Sequence, residues 1–186
     1  MNCPIGIFGD TGVGKSRICN RFVSNCYEED YMPTIFCSYI KPIVHQKNFY
    51  SLEINESASD EGFVTDYTDV IEKSLGFLCI FDLTQETSLH KISEFRYRIL
   101  NQKNLTKVPM IIVGNKSDLT SERKVLSETG QMLADKCCVP YIEVSAKFGT
   151  NISKCFEMLL DEIHPKNNLI PVKRKGCLGC IQWLVT

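Results

Sequence analysis

The sequence predicts a three-layer α/β domain, with a six-stranded, mostly parallel sheet, one antiparallel edge strand and helices on both faces. Three observations predict it. Short apolar runs alternate with amphipathic helical patterns, a glycine-rich loop occupies the first strand-to-helix turn, and a polar turn splits two extended stretches into a hairpin. The 186 residues, 44% hydrophobic and 23% charged, suffice for one well-buried core and are short for two.

The first apolar run, Ile5-Gly6-Ile7-Phe8, leads directly into Gly9-Asp10-Thr11-Gly12-Val13-Gly14-Lys15-Ser16. This GxxxxGKS spacing, set between a strand and a helix, is the context in which such a loop holds the phosphates of a nucleoside triphosphate. Its glycines let backbone N–H groups curl around phosphate oxygens, Lys15 neutralises charge at the β/γ end, and the Ser16 hydroxyl suits Mg²⁺. The helix that starts near Lys15 and runs on through Arg17 adds its positive dipole end. Ile18, Phe22 and Val23 mark its buried face. Between residues 39 and 54, two stretches rich in β-branched and aromatic residues flank the polar turn His45-Gln46-Lys47-Asn48, which reads as a hairpin carrying the antiparallel edge strand. Residues 75–83, 108–113 and 141–144 read as further buried parallel strands. Ile92, Phe95, Ile99 and Leu100, then Phe156, Leu159, Leu160 and Ile163, mark two more amphipathic helices. Residues 1–165 form the expected domain, and residues 166–186 a flexible basic tail outside the core.

The choice of base rests on a second motif. Asn115-Lys116-Ser117-Asp118 follows the run Met110-Ile111-Ile112-Val113-Gly114, and so falls at the carboxyl end of a strand, where sheets of this kind bind ligands. A carboxylate there accepts two hydrogen bonds, from the N1–H and the exocyclic amine of guanine. Adenine lacks that donor pair and would leave Asp118 unpaired. Ser145-Ala146-Lys147 follows the strand that ends at Val144, where a backbone N–H reaches the guanine oxygen. An ATP-dependent transferase shares the phosphate loop, but the NKxD motif and the lack of a separate acceptor or lid segment argue against that reading.

Composition narrows the class further. A formal net charge of -1 supplies no global basic field, so nucleic acid is not an expected partner. Ten cysteines without an N-terminal signal peptide, three of them (Cys19, Cys79, Cys155) in apolar segments, indicate a reduced, cytoplasmic compartment. No apolar run approaches the ~20 residues that span a bilayer, so membrane contact would be peripheral.

With these motifs in this order, the chain resembles the Ras family of small GTPases from about Ile5 to Ile163. The resemblance implies a guanine-nucleotide-binding molecular switch in signal transduction that binds GTP or GDP with Mg²⁺ and converts GTP to GDP and phosphate. Asp10, Thr11, Gly12, Val13, Gly14, Lys15, Ser16 and Arg17 would cradle the phosphates. Asn115, Lys116 and Asp118, with Ser145, Ala146 and Lys147, would hold the base. Tyr27 matches the aromatic that packs against guanine; without the resemblance it reads as a core aromatic at a helix end. Tyr31-Met32-Pro33-Thr34-Ile35-Phe36-Cys37-Ser38-Tyr39 matches the first switch, in which Thr34 binds Mg²⁺ and the γ-phosphate and releases both after hydrolysis. Ser16, Thr34 and Glu56 make up the implied metal set, and Lys15, Thr34 and Asp60 the implied catalytic set. The implied partners are effector proteins on the loop from Tyr31 to Tyr39, an exchange factor and an activating protein, with the chain itself a monomer.

The third nucleotide motif departs from the family. Where relatives read Asp-x-x-Gly-Gln, this chain reads Glu56-Ser57-Ala58-Ser59-Asp60. Glu56 keeps the charge with one extra methylene in a shell that tolerates little displacement. Ser59 replaces a glycine whose N–H meets the γ-phosphate. Asp60 replaces the glutamine that orients the attacking water, and an ionised aspartate cannot donate. Thr11 stands where a side chain tends to obstruct the arginine finger of an activating protein, although some small GTPases tolerate a hydroxyl there. Two expectations follow: slow hydrolysis with a bias to the GTP-bound state, or a pseudo-GTPase module that binds nucleotide without hydrolysis. Phe36-Cys37 stands where Ras proteins carry two acidic residues, so effectors with basic surfaces should bind poorly; Phe36 either presents an apolar contact or packs inward.

The tail carries Lys173-Arg174-Lys175 and the thiols of Cys177 and Cys180, without a cysteine four residues from the end. The prenylation box is therefore absent. Acylation of these thiols beside the cations would give peripheral anchoring at the cytoplasmic face of a membrane; a soluble basic tail and a CxxC zinc site are the alternatives.

Overall fold

The computed structural model describes residues 1–27, 36–57 and 67–165, with the backbone alone for Phe36 and Ser57. Along the chain run β1 (Asn2–Gly9), α1 (Lys15–Ser24), β2 (Phe36–His45), β3 (Asn48–Ser57), α2 (Thr68–Lys73), β4 (Gly76–Asp82), α3 (Glu86–Lys103), β5 (Met110–Asn115), α4 (Ser127–Cys137), β6 (Tyr141–Glu143) and α5 (Ile152–Ile163). A short 3₁₀ turn, Thr120–Glu122, precedes α4. The described strands form one six-stranded sheet in the order β2-β3-β1-β4-β5-β6. Only β2 runs antiparallel to its neighbour; β1 pairs in parallel with β3 and β4, and β5 with β4 and β6. The predicted architecture, including its one antiparallel edge strand, is therefore the observed one.

The central strands read as unbroken apolar runs because both of their faces are covered. Ile5 and Ile7 of β1, Leu78 and Ile80 of β4, and Ile111 and Val113 of β5 point into one core with Ile18, Cys19 and Phe22 of α1 and Cys155, Phe156, Leu159 and Leu160 of α5. The intervening residues Phe8, Phe77, Cys79, Phe81, Met110 and Ile112 point the other way, against α2, α3 and α4. Successive strand side chains thus alternate between two separate cores. Phe22 stacks on Phe156 with ring centroids 3.8 Å apart, joining α1 to α5. Burial pushes the Cys79 thiol up to about 12 and those of Cys19 and Cys155 up as well, so these groups behave as small apolar side chains.

The hairpin turn is where the polar tetrapeptide places it: Gln46 and Lys47 take positive φ between β2 and β3, and His45 pairs with Asn48. Two helices carry no strong pattern in sequence. α2 is 6 residues long, and α4 buries only Gly130 and Ala134 among its 11. Gly130 is required there, since a Cβ would lie 2.5 Å from the Tyr141 ring on the adjacent strand. Strand ends shift by a few residues from the apolar runs, most at β1, which continues N-terminally as far as Asn2 by pairing with Ser51 of β3.

Candidate nucleotide site

The parallel strands β1, β4, β5 and β6 end on the same side of the sheet, and the phosphate loop, the NKxD motif and the Ser145 loop all follow strand ends there. The phosphate loop links β1 to α1. Gly14 caps α1 with φ 93, and a Cβ there would lie 2.5 Å from Asn115 Nδ2, so both conformation and space demand glycine. Gly12 also takes positive φ and is exposed beside Thr11, whereas Val13 is buried. Lys15 is 7% exposed, and its ammonium donates to the carbonyl oxygens of Gly9 (3.0 Å) and Asp10 (2.9 Å). Burial pulls that ammonium below the usual lysine range, opposed by the negative charges of Glu56 and Asp10. The lysine is thus held close over the loop whose anionic ligand it would neutralise.

Glu56, at the end of β3, is 2% exposed and pairs in register with Ile7 on one side and Cys37 on the other. Its Oε1 accepts a 2.7 Å hydrogen bond from the Ser16 hydroxyl. Its Oε2 is buried and finds no partner among the described residues. Burial raises its carboxyl above the ordinary glutamate range, and the Ser16 hydrogen bond and Lys15 oppose the rise. A buried carboxylate oxygen without a partner, adjoining a serine hydroxyl, is a hard-oxygen donor set that fits Mg²⁺. When bound, that ion would neutralise charge on the β/γ-phosphates. Thr34, Ser59 and Asp60 lie outside the described residues, as do Tyr31 to Ile35 of the first switch and the whole tail from residue 166.

On the base side, Asn115 is 2% exposed and uses its amide within the protein. Its Nδ2 donates to Val13 O at 2.9 Å, and its Oδ1 accepts from Ala146 N–H at 3.3 Å. It therefore staples the phosphate loop to the Ser145 loop. Asp118 is half-buried, and the buried Ser145 donates to its Oδ1 at 2.5 Å while accepting from the Phe148 N–H. Lys116 has φ 66, and its ammonium lies 2.6 Å from Asp82 Oδ2 at the end of β4. Asp82 is itself satisfied by Thr84, whose N–H and hydroxyl both donate to its Oδ1 at 2.8 Å. Tyr27 is half-buried against the α1/α5 core, with the guanidinium carbons of Arg17 and Arg21 5.6 and 5.7 Å from its ring centre. Sequence reasoning missed Asp82, Lys91 and Arg21. Lys91 of α3 pairs with Asp10 Oδ1 at 2.9 Å from 81 residues away, and no local signal announces such a contact.

The strands thus bring the phosphate loop, Glu56, NKxD and the Ser145 loop to one face, stapled through Asn115. The Ras family model matches residues 5–165. The chain belongs to the Ras family. Its relatives include Ras-related protein Ral-a of Drosophila melanogaster, 37% identical over 158 residues covering 85% of this chain and 79% of the relative. Ras-like protein rasC of Dictyostelium discoideum is 34% identical over 179 residues, 92% of this chain and 95% of its own. Ras-like protein RAS2 of Hydra vulgaris is 36% identical over 171 residues, 91% and 89% of the two chains. The protein is accordingly a small GTPase of the Ras type, and guanine nucleotide and Mg²⁺ are the ligands that this membership implies for the site. No helix among the described residues is long and apolar enough to cross a membrane.

Proposed function

We propose that this Ras-family protein is a guanine-nucleotide switch that holds GTP and GDP with Mg²⁺, hydrolyses GTP slowly and is biased to the GTP-bound state. The observation that carries the nucleotide assignment is the bond from Ser145 to Asp118, in a loop that Asn115 ties to the phosphate loop. In this reading Lys15 and the loop amides from Asp10 to Ser16 bind the phosphates, and Arg17 extends the helix end behind them. Ser16 and Thr34 hold the metal, and Glu56 holds its water shell. Asp118 and the Ala146 N–H read the base, Lys116 and Tyr27 flank it, and Lys147 continues the loop. Slow hydrolysis rests on Asp60, which accepts but cannot donate to the attacking water and adds negative charge beside the phosphate. Ser59 and Thr11 act in the same direction.

A second reading, a module that binds guanine nucleotide without hydrolysis, draws support from the Ser16–Glu56 hydrogen bond, which satisfies the serine hydroxyl inside the protein. Single-turnover GTP hydrolysis separates the two. The switch reading expects a slow but measurable rate that rises on the order of 10²-fold in the Asp60→Gln, Ser59→Gly double variant. A wild-type rate equal to that of ordinary family members refutes the bias, and a double variant that stays inert favours the module.

Effectors would engage the loop from Tyr31 to Tyr39, and the apolar Phe36-Cys37 pair disfavours basic effector surfaces. Exchange and activating proteins, a monomeric state and a cytoplasmic location complete the proposal, with the tail from residue 166 supplying peripheral membrane contact.

A further inference from the structure

We propose that Arg21 is a positioning residue for the nucleotide base, holding the Ser145 loop in the shape that presents Asp118. The inference rests on the guanine-nucleotide reading above and goes on to assign what keeps the base pocket closed. Arg21 lies in the last turn of α1, and its guanidinium donates to carbonyls of a loop 125 residues further along the chain. Nε donates to Ala146 O at 2.9 Å and Nη2 to Lys147 O at 2.6 Å. Nη1 donates to Asn25 O at 2.8 Å, where Asn25 closes α1 with φ 56. The side-chain stem lies against Gly149, where a Cβ would sit 3.6 Å from Arg21 Cδ.

Because a trans peptide sets its N–H opposite its C=O, fixing these two carbonyls also fixes two N–H groups. Capture of Ala146 O turns the Lys147 N–H away from the guanidinium. Capture of Lys147 O orients the next peptide, whose Phe148 N–H donates to Ser145 Oγ at 3.1 Å. The Ser145 hydroxyl in turn donates to Asp118 Oδ1 at 2.5 Å. One guanidinium thus begins a continuous chain of polar contacts that ends on the carboxylate assigned to guanine. The same group lies 5.7 Å from the centre of the Tyr27 ring, so both the loop and the aromatic on the base side depend on it. A lysine could replace the charge, but its single ammonium cannot span three carbonyls in a planar fork.

The test measures release of mant-GDP and of a mant-labelled non-hydrolysable GTP analogue from the full chain, in wild type, Arg21→Ala, Arg21→Lys, Ser145→Ala and the Arg21→Ala, Ser145→Ala double variant. Arg21→Ala is expected to speed release about tenfold, by the same factor for both nucleotides because the loss is on the base side. Arg21→Lys should shift in the same direction, and it keeps the test valid if the truncated variant fails to fold. The double variant should release no more than about twofold faster than Ser145→Ala alone, because the two residues act through one chain of contacts. The preference for GDP over ADP should fall in parallel. Unchanged release in both Arg21 variants, or full multiplication of the two single effects, overturns the assignment. Wild-type protein that retains no guanine nucleotide overturns the parent reading, whereas normal wild-type retention with unaltered Arg21 variants overturns this inference alone.

Discussion

The proposed base side and the proposed phosphate side of the candidate nucleotide site differ in how fully their polar groups are partnered within the fold. On the base side each polar group is fixed by a partner inside the fold: Asn115 by Val13 and Ala146, Lys116 by Asp82, and Asp118 by Ser145. On the phosphate side one buried acceptor is left open. Glu56 keeps one buried oxygen without a partner among the described residues, and Lys15 rests on the loop's own carbonyls. Of the three departures from the family motif, Glu56 is the described one, and it falls on this second side beside Ser16. In the proposed function, a base pocket fixed in advance would keep guanine selection separate from the chemistry at the γ end.

The sharpest way to break this contrast is Asp118→Ala. Losing the two hydrogen bonds proposed between Asp118 and guanine should cost about 3–6 kcal/mol, or roughly 10²–10⁴ in GDP affinity, as measured by calorimetry. A loss below tenfold would mean that the phosphate side dominates binding. A smaller effect is expected from Glu143→Gln in β6, beneath the Ser145 loop. Burial raises the Glu143 carboxyl, but hydrogen bonds from Arg123, Ser127 and Tyr141 outweigh it and hold the group below the ordinary range. A depressed carboxyl stabilises the fold above its unfolded value and loses that contribution as pH falls through the folded one. The variant should therefore be about 1–2 kcal/mol less stable at neutral pH, a gap that closes below about pH 4.5 in denaturation series. Persistence of the full gap in acid would remove the charge from the explanation. The smallest effect should come from Lys91→Ala, which cuts a partly exposed pair with Asp10 on the phosphate side. Less than about 1 kcal/mol in stability and a few-fold change at most in GDP affinity are expected.

Much of the fold was legible because its signals are local. The apolar runs of β1, β4 and β5 are continuous since both faces are buried, and the tetrapeptide from His45 to Asn48 carries its own turn chemistry. The phosphate loop, the NKxD motif and the Ser145 loop were legible for the same reason, each being a short run that follows a strand. What escaped was non-local or faint. Arg21, Asp82 and Lys91 act on groups brought near only by the folded sheet, and an isolated arginine, aspartate or lysine reads as an ordinary surface charge. α4 escaped because its buried face consists of a glycine and an alanine, too small to produce an apolar stripe. Asn115 was legible as part of the base motif, but its use as a staple depends on Val13 O, which only the loop's folded path brings within 2.9 Å.

The alternation of β1, β4 and β5 between two separate cores also sets where this chain can lengthen. Adding one residue at the start of β4, before Phe77, and keeping the rest in line would send Leu78 and Ile80 towards α3 and bring Phe77, Cys79 and Phe81 towards α1, exchanging the occupants of both interiors at once. Extra residues between His45 and Asn48 would disturb neither interior, because the hairpin joins two strands at the rim of the sheet. Tolerance to insertion should therefore be concentrated at that turn and vanish in the middle of the sheet.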